Sequence, residues 1–258
     1  IEVGSENPNI IYLNQQPASG NLGKLWKSID GGVTWTQLTI PAGNSRRMLL
    51  SLDPADDKHL FIAYPSGSNG NKTFESTNGG QSFSNITNAS LNNESVQSLL
   101  YIGGTNSGVY CATNKAVYYR NASNPWIMDN AGLPQSINGN ILRPFYRDNK
   151  IRLASYGKGI WESTLNEAPA QPICRAMVDK LSQTVICQAD SFYFEDHSIL
   201  DHQNATWQWQ FPTGNPTSST QRNPSVMFGI GTHQAILTVT NGNGQSDSDT
   251  LSVIVNQY

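Results

Sequence analysis

Two stretches gather side chains that could do chemistry. In DHSILDH, residues 196–202, two carboxylates (Asp196, Asp201) and two imidazoles (His197, His202) fall within seven positions. Such groups ligate metals or move protons. Their spacing matches neither H-E-x-x-H nor paired C-x-x-C, so zinc is not indicated and a polar turn is the plain reading. Arg143, Arg147 and Tyr146 form the nearest thing to an arginine cluster. Paired guanidiniums can clamp a carboxylate, but a solvated loop with one ion pair needs no more than the same residues. The other histidines, His59 and His233, stand apart. Cys111, Cys174 and Cys187 make an odd count, and a pair plus one buried thiol suits an extracytoplasmic protein.

The elements that would position these groups are short β-strands. The chain has 258 residues, of which 14% are charged, with 22 glycines and 13 prolines. That is a turn-rich, all-β profile, and no window sustains a 3.6-residue apolar period. The net charge is −3 without a basic cluster, which argues against a nucleic-acid partner. No apolar run approaches the roughly 18 residues of a membrane span.

Landmarks recur along residues 1–165. Trp26, Phe74, Tyr118 and Trp161 sit in similar strands spaced 48, 44 and 43 residues apart. Ahead of each lies a polar turn and a short apolar strand, at 6–14, 55–64, 106–114 and 149–157. A period near 45 with several strands per unit predicts β-propeller blades, about three and a half of them. Propellers usually close with four to eight blades, so earlier blades are expected N-terminal to Ile1, with a four-bladed closure as the less favoured alternative. Two of the turns share a pattern. Ser28, Asp30, Gly32, Thr34 and Trp35 are echoed by Ser76, Asn78, Gly80, Ser82 and Phe83. The acidic or amide side chain can accept from its own turn, and the glycines permit positive φ.

Residues 166–172, NEAPAQP, read as a linker. Beyond it, 173–258 reads as a β-sandwich with strands at 184–194, 205–211, 224–228, 234–241 and 249–255. NGNG at 241–244 marks a hairpin. Trp207, Trp209 and Phe211 alternate onto one face and are expected in the core. If strands 173–178 and 184–194 pair about Leu181, Cys174 faces Cys187 and a disulfide is geometrically reasonable. Cys111, inside an apolar strand, is expected to be inert core.

The S-x-D-G-G-x-T-W turn resembles the Asp-box of BNR-type and sortilin-like β-propellers. LASYGKGIWES is similar to the last blade of propellers in large secreted bacterial proteins. WQWQF through TLSVIV resembles a polycystic-kidney-disease (PKD) domain, in a form without the acidic turn residue that is familiar among type IX-exported proteins. The fold implied is all-β: a partial β-propeller of three to four blades plus an immunoglobulin-like sandwich of PKD type. The resemblance makes the Asp-boxes structural staples. It would allow calcium at Asp196 and Asp201; otherwise no cofactor is expected. A sialidase reading would need arginines, a tyrosine nucleophile and an acid on the central face. A xyloglucanase-type reading would need carboxylates across a cleft between two propellers. The expected function is therefore non-catalytic: recognition, adhesion or scaffolding by a secreted or cell-surface modular bacterial protein. Its partners would be upstream blades of the same precursor and an extracellular protein or polysaccharide. Two alternatives stand beside it, an accessory portion of a polysaccharide-acting glycosidase with its active site upstream, and a subunit of an extracellular filament or sheath.

Overall fold

The computed structural model describes residues 1–17, 22–43, 46–179, 185–187 and 191–257, the side chains of 185–187 excepted. The chain divides into two compact units, 1–145 with 150–167, and 146–149 with 168–258. The division near residue 167 falls inside the stretch 166–172. The turn 146–149 groups with the second unit, unlike the expected single block 1–165.

The first unit is a run of four antiparallel meanders. Sheet one holds β1 (Glu2–Val3), β2 (Ile11–Gln15), β3 (Lys24–Ser28) and β4 (Thr36–Leu38). Sheet two holds β5 (Leu49–Asp53), β6 (Asp56–Ala63), β7 (Thr73–Ser76) and β8 (Ser84–Asn85). Sheet three holds β9 (Val96–Ile102), β10 (Gly108–Thr113), β11 (Val117–Arg120) and β12 (Ile127–Met128). Sheet four has three strands, β13 (Gly139–Phe145), β14 (Lys150–Ser155) and β15 (Gly159–Thr164). The first strands neighbour one another in succession, β1 with β5, β5 with β9 and β9 with β13. These are blades of a β-propeller, joined along their inner strands.

Each landmark aromatic lies in a third strand, and each apolar landmark strand is a second strand. The inner strands carry no comparable repeat in sequence. The register is shared: Leu13 pairs with Trp26, Ile62 with Phe74, Cys111 with Tyr118 and Leu153 with Trp161. Period two then assigns the faces. Tyr12 and Leu25 of sheet one meet Leu60, Ile62 and Phe74 of sheet two in one core. Phe61 and Ala63, from the other face of sheet two, meet Val109, Cys111 and Tyr118 of sheet three in the next. A middle strand such as β10 is therefore buried along its whole length. The Cys111 thiol is fully buried there, and desolvation raises its pKa, as suits an inert core residue.

The second unit is a two-sheet sandwich. One sheet orders β16 (Ala176–Val178), β18 (Ser191–Asp196), β22 (Ser225–Phe228) and β20 (Gly214–Asn215). The other orders β17 (Val185–Cys187), β24 (Ser246–Asn256), β23 (Gly231–Thr240), β19 (Thr206–Gln210) and β21 (Ser218–Ser219). Trp209 and Phe211 are fully buried and stack 5.7 Å apart, with Phe194 and Phe228 against them; Trp207 is partly buried at the margin. Asn241–Gly244 turns β23 into β24.

Two expectations need correction. The stretch 184–194 is not one strand. Val185–Cys187 pairs parallel with β24, whereas Ser191–Asp196 pairs with β16 and β22 in the opposite sheet. Consequently 173–178 and 185–187 do not form a hairpin. Cys174 is a free, buried thiol whose Sγ approaches the Leu237 carbonyl at 3.4 Å; burial pushes its pKa up to about 12. The expected disulfide is absent at Cys174, and the Cys187 side chain lies outside the described residues.

Trp209 is the largest plug of the sandwich core, so Trp209→Ala should cost the second unit about 3–5 kcal/mol. A denaturant titration would show this as a lower midpoint. A change under 1 kcal/mol would contradict the packing.

Candidate functional site

Several charged side chains among the described residues serve as structural fastenings. In the turn after β3, the Ser28 hydroxyl donates to Asp30 Oδ1 at 2.7 Å and accepts the Gly32 N–H at 2.8 Å. Asp30 accepts the Thr34 N–H at 2.9 Å and the Thr34 hydroxyl at 2.5 Å. The Thr34 hydroxyl first, then the other donors, hold the Asp30 carboxyl at about 2. Gly31 and Gly32 have φ of 70° and 93°. In the turn after β7, Ser76, Asn78, Gly80 and Ser82 repeat three of these bonds, and the fourth is reversed, the Asn78 amide donating to the Ser82 hydroxyl at 2.8 Å.

Sequence reasoning missed the group that most looks like catalysis. His59 on β6 bonds Asp53 of β5 through Nδ1 at 3.3 Å and Glu75 of β7 through Nε2 at 2.9 Å. Arg120 of β11 reaches the second Glu75 oxygen at 3.2 Å. Two carboxylates, an imidazole and a guanidinium could run acid–base chemistry. Here their side chains are only 11–19% exposed, and they bond one another across the second and third sheets. Burial alone would lower the His59 pKa; hydrogen bonds and charge from Asp53 and Glu75 outweigh it and raise the value to about 9. Bonding to His59 contributes to holding both carboxyls below their ordinary range. A signal was present: period two puts His59 beside Phe61 and Ala63 on an otherwise apolar face, with Glu75 across the ladder.

The stretch 196–202 disperses. Asp196 accepts the Ser198 N–H at 3.0 Å and the Arg222 Nε–H at 2.9 Å. Asp201 accepts the Gln203 N–H at 3.0 Å. His197 bonds Glu195, and His202 packs on Trp207 with ring centres 5.6 Å apart. Among the described residues no three metal-ligating side chains converge. Arg143 belongs to β13 and donates to the Leu142 carbonyl, while Tyr146 and Arg147 belong to the turn 146–149 of the other unit.

One open face among the described residues belongs to sheet one. Tyr12 and Leu25 point toward sheet two, so Leu13 and Trp26 point the other way. With Gln15 and Trp35 they line an open hollow of about 410 Å³. The two indoles are fixed: Trp26 Nε1 donates to Gln15 Oε1 and Trp35 Nε1 to the Gly32 carbonyl, both at 2.9 Å. Val33 and Ile29 in the adjoining turn are also exposed. This face can take apolar or ring-shaped partners and offers no nucleophile.

The family model of the PKD domain matches residues 180–255. No curated protein matches the chain. The PKD1 domain of the metalloprotease PrtV from Vibrio cholerae is 25% identical over 33% of this chain and 98% of that one, with a TM-score of 0.27. The PKD1 domain of Epp from Vibrio anguillarum is 21% identical over 34% and 96%, with a TM-score of 0.27. A GH74 xyloglucanase from Xanthomonas campestris is 13% identical over 95% of this chain, with a TM-score of 0.49; the match spans 37% of the xyloglucanase.

The buried ionic group gives a pH signature. His59, held above its ordinary 6.5, stabilises the protonated fold. Its contribution, roughly 3 kcal/mol, is complete below pH 6.5 and lost as pH rises through about 9. Asp53 and Glu75, held below 3.8 and 4.5, stabilise the fold above those values and cease to do so as pH falls. Stability of the first unit should peak between about pH 4.5 and 6.5, and His59→Gln should flatten the alkaline limb. An unaltered limb in that variant would assign the loss to other groups.

Proposed function

We propose that this chain is a non-catalytic interaction module of a secreted or cell-surface modular bacterial protein. The blades serve as a scaffold and the PKD-type sandwich as a spacer or adhesion module. Support comes from the match to the PKD model at 180–255 and from the fastening roles of the ionisable groups described above. The Asp-box turns act as staples in this reading.

One observation carries the proposal. In the common register, Leu13, Trp26 and Trp35 of sheet one occupy the places of Ile62, Phe74 and Phe83 of sheet two. Ile62 and Phe74 are buried by sheet one and Phe83 packs against that core, whereas the first set is half-buried and faces outward. A face built like a blade contact calls for another sheet, and the upstream blades of the precursor are its natural occupant. The same equivalence favours protein over polysaccharide here, because Phe74 and Phe83 are packing residues.

The test is protection of the indoles. In the natively secreted protein, Trp26 and Trp35 should resist hydroxyl-radical oxidation. In an isolated 1–258 fragment they should react several-fold faster. Equal reactivity in the two samples would overturn the reading. Protection that appears only on adding polysaccharide would move the face to sugar binding.

A further inference from the structure

Sheet four is one strand short, and the deficit has a definite shape. In the first three sheets an aromatic residue enters with the fourth strand. Trp35 stands one residue beyond the Lys27–Thr36 pair, opposite Ser28. Phe83 stands one beyond the Glu75–Ser84 pair, opposite Ser76. Trp126 stands one beyond the Tyr119–Ile127 pair, opposite Arg120. Trp161 of β15 is the counterpart of Trp26, Phe74 and Tyr118, so the corresponding place lies opposite Ser163. Among the described residues no strand pairs with that edge of β15.

A slot opens at this place. It measures about 90 Å³, and its lining includes Val117, Leu133, Leu153, Trp161 and Ser163. The third sheet shows what fills such a slot. There Trp126 is fully buried, its Nε1 donates to Thr73 at 3.1 Å, and it shares a core with Leu91. Thr73 precedes Phe74 as Val117 precedes Tyr118. Leu91 follows β8 by six residues, and Leu133 follows β12 by five. Slot and walls are therefore repeated in the fourth sheet without the plug. The edge left unpaired among the described residues and the slot, mostly apolar but also lined by Asp129 and Glu162, are separate observations, and they meet at Ser163.

We infer that β15 accepts an extended strand from a partner polypeptide, carrying an aromatic or similarly large apolar side chain that enters the slot opposite Ser163. The strand comes from outside this chain's described strands, since all 24 are already paired in their own sheets. Its chemistry follows β4 and β8: a small hydroxyl residue, the aromatic, then polar and apolar residues in alternation. Main-chain hydrogen bonds would supply affinity and the slot would supply register. The surface lies at the opposite end of the blade series from the aromatic face on sheet one, and its failure would leave that reading untouched.

The probe is a synthetic peptide copying residues 81–87, QSFSNIT, with a fluorescent label, titrated with the 258-residue protein and read by anisotropy. Saturable binding is expected, weakened at least tenfold when Phe83 of the peptide is replaced by Ala or Asp. On the protein, Ser163→Trp should fill the slot from within and abolish binding while circular dichroism stays unchanged. The altered peptides on unaltered protein keep the test valid if that variant misfolds. No binding, or equal binding of the three peptides, would overturn the inference.

Discussion

An antiparallel sheet of three or four short strands can bury one face against a neighbour, but it must find a neighbour for the other as well. That constraint organises the first unit. Each inner sheet is apolar on both sides, so β10 is buried throughout and reads as a continuous apolar strand. At roughly 25 cal/mol per Å² of apolar surface, the interleaved Tyr, Phe, Leu and Ile side chains between sheets outweigh any single polar contact. Where no described strand or sheet packs, as beside Trp26 or opposite Ser163, the same packing logic leaves a largely hydrophobic face or slot in view.

Polar groups are arranged to permit this packing. The Ser28–Asp30–Thr34 turn consumes its own donors and acceptors, which lets a sharp hairpin stand at the rim without help from another sheet. Lys72 is buried between the second and third sheets, and its ammonium is held by the Gly67 and Glu94 carbonyls at 2.7 Å. The His59 group follows the same rule. A buried charge is tolerated when each heteroatom has a partner, and removing one partner leaves the others exposed to the full desolvation cost.

The sandwich solves the problem differently. Two sheets close on one aromatic core, so each has a single buried face, and Phe192, Phe194, Trp209, Phe211 and Phe228 supply most of its bulk. The thiol of Cys174 is part of that filling. Asp196 fixes the neighbouring turn through Arg222 and Ser198.

Periodicity made much of this legible in the chain itself. The spacing of Trp26, Phe74, Tyr118 and Trp161 marked recurring strands, and the apolar runs ahead of them marked the strands that pair with them. Alternation in WQWQF put Trp209 and Phe211 inside, and the Asp-Gly-Gly and Asn-Gly-Gly patterns placed two turns. These features are local: a strand's faces and a turn's dihedral angles follow from neighbours a few residues apart. Tertiary structure alone decided whatever depends on residues distant in sequence. It brought His59 and Glu75 together with Arg120, 45 residues beyond Glu75, scattered the carboxylates and imidazoles of 196–202, and sent 185–187 and 191–196 to opposite sheets, so that Cys174 faces Leu237 instead of another cysteine. It also decided which copy of a repeated face is covered. Trp26 and Phe74 are alike in their strands, and only the arrangement of the sheets separates a buried contact from an open one.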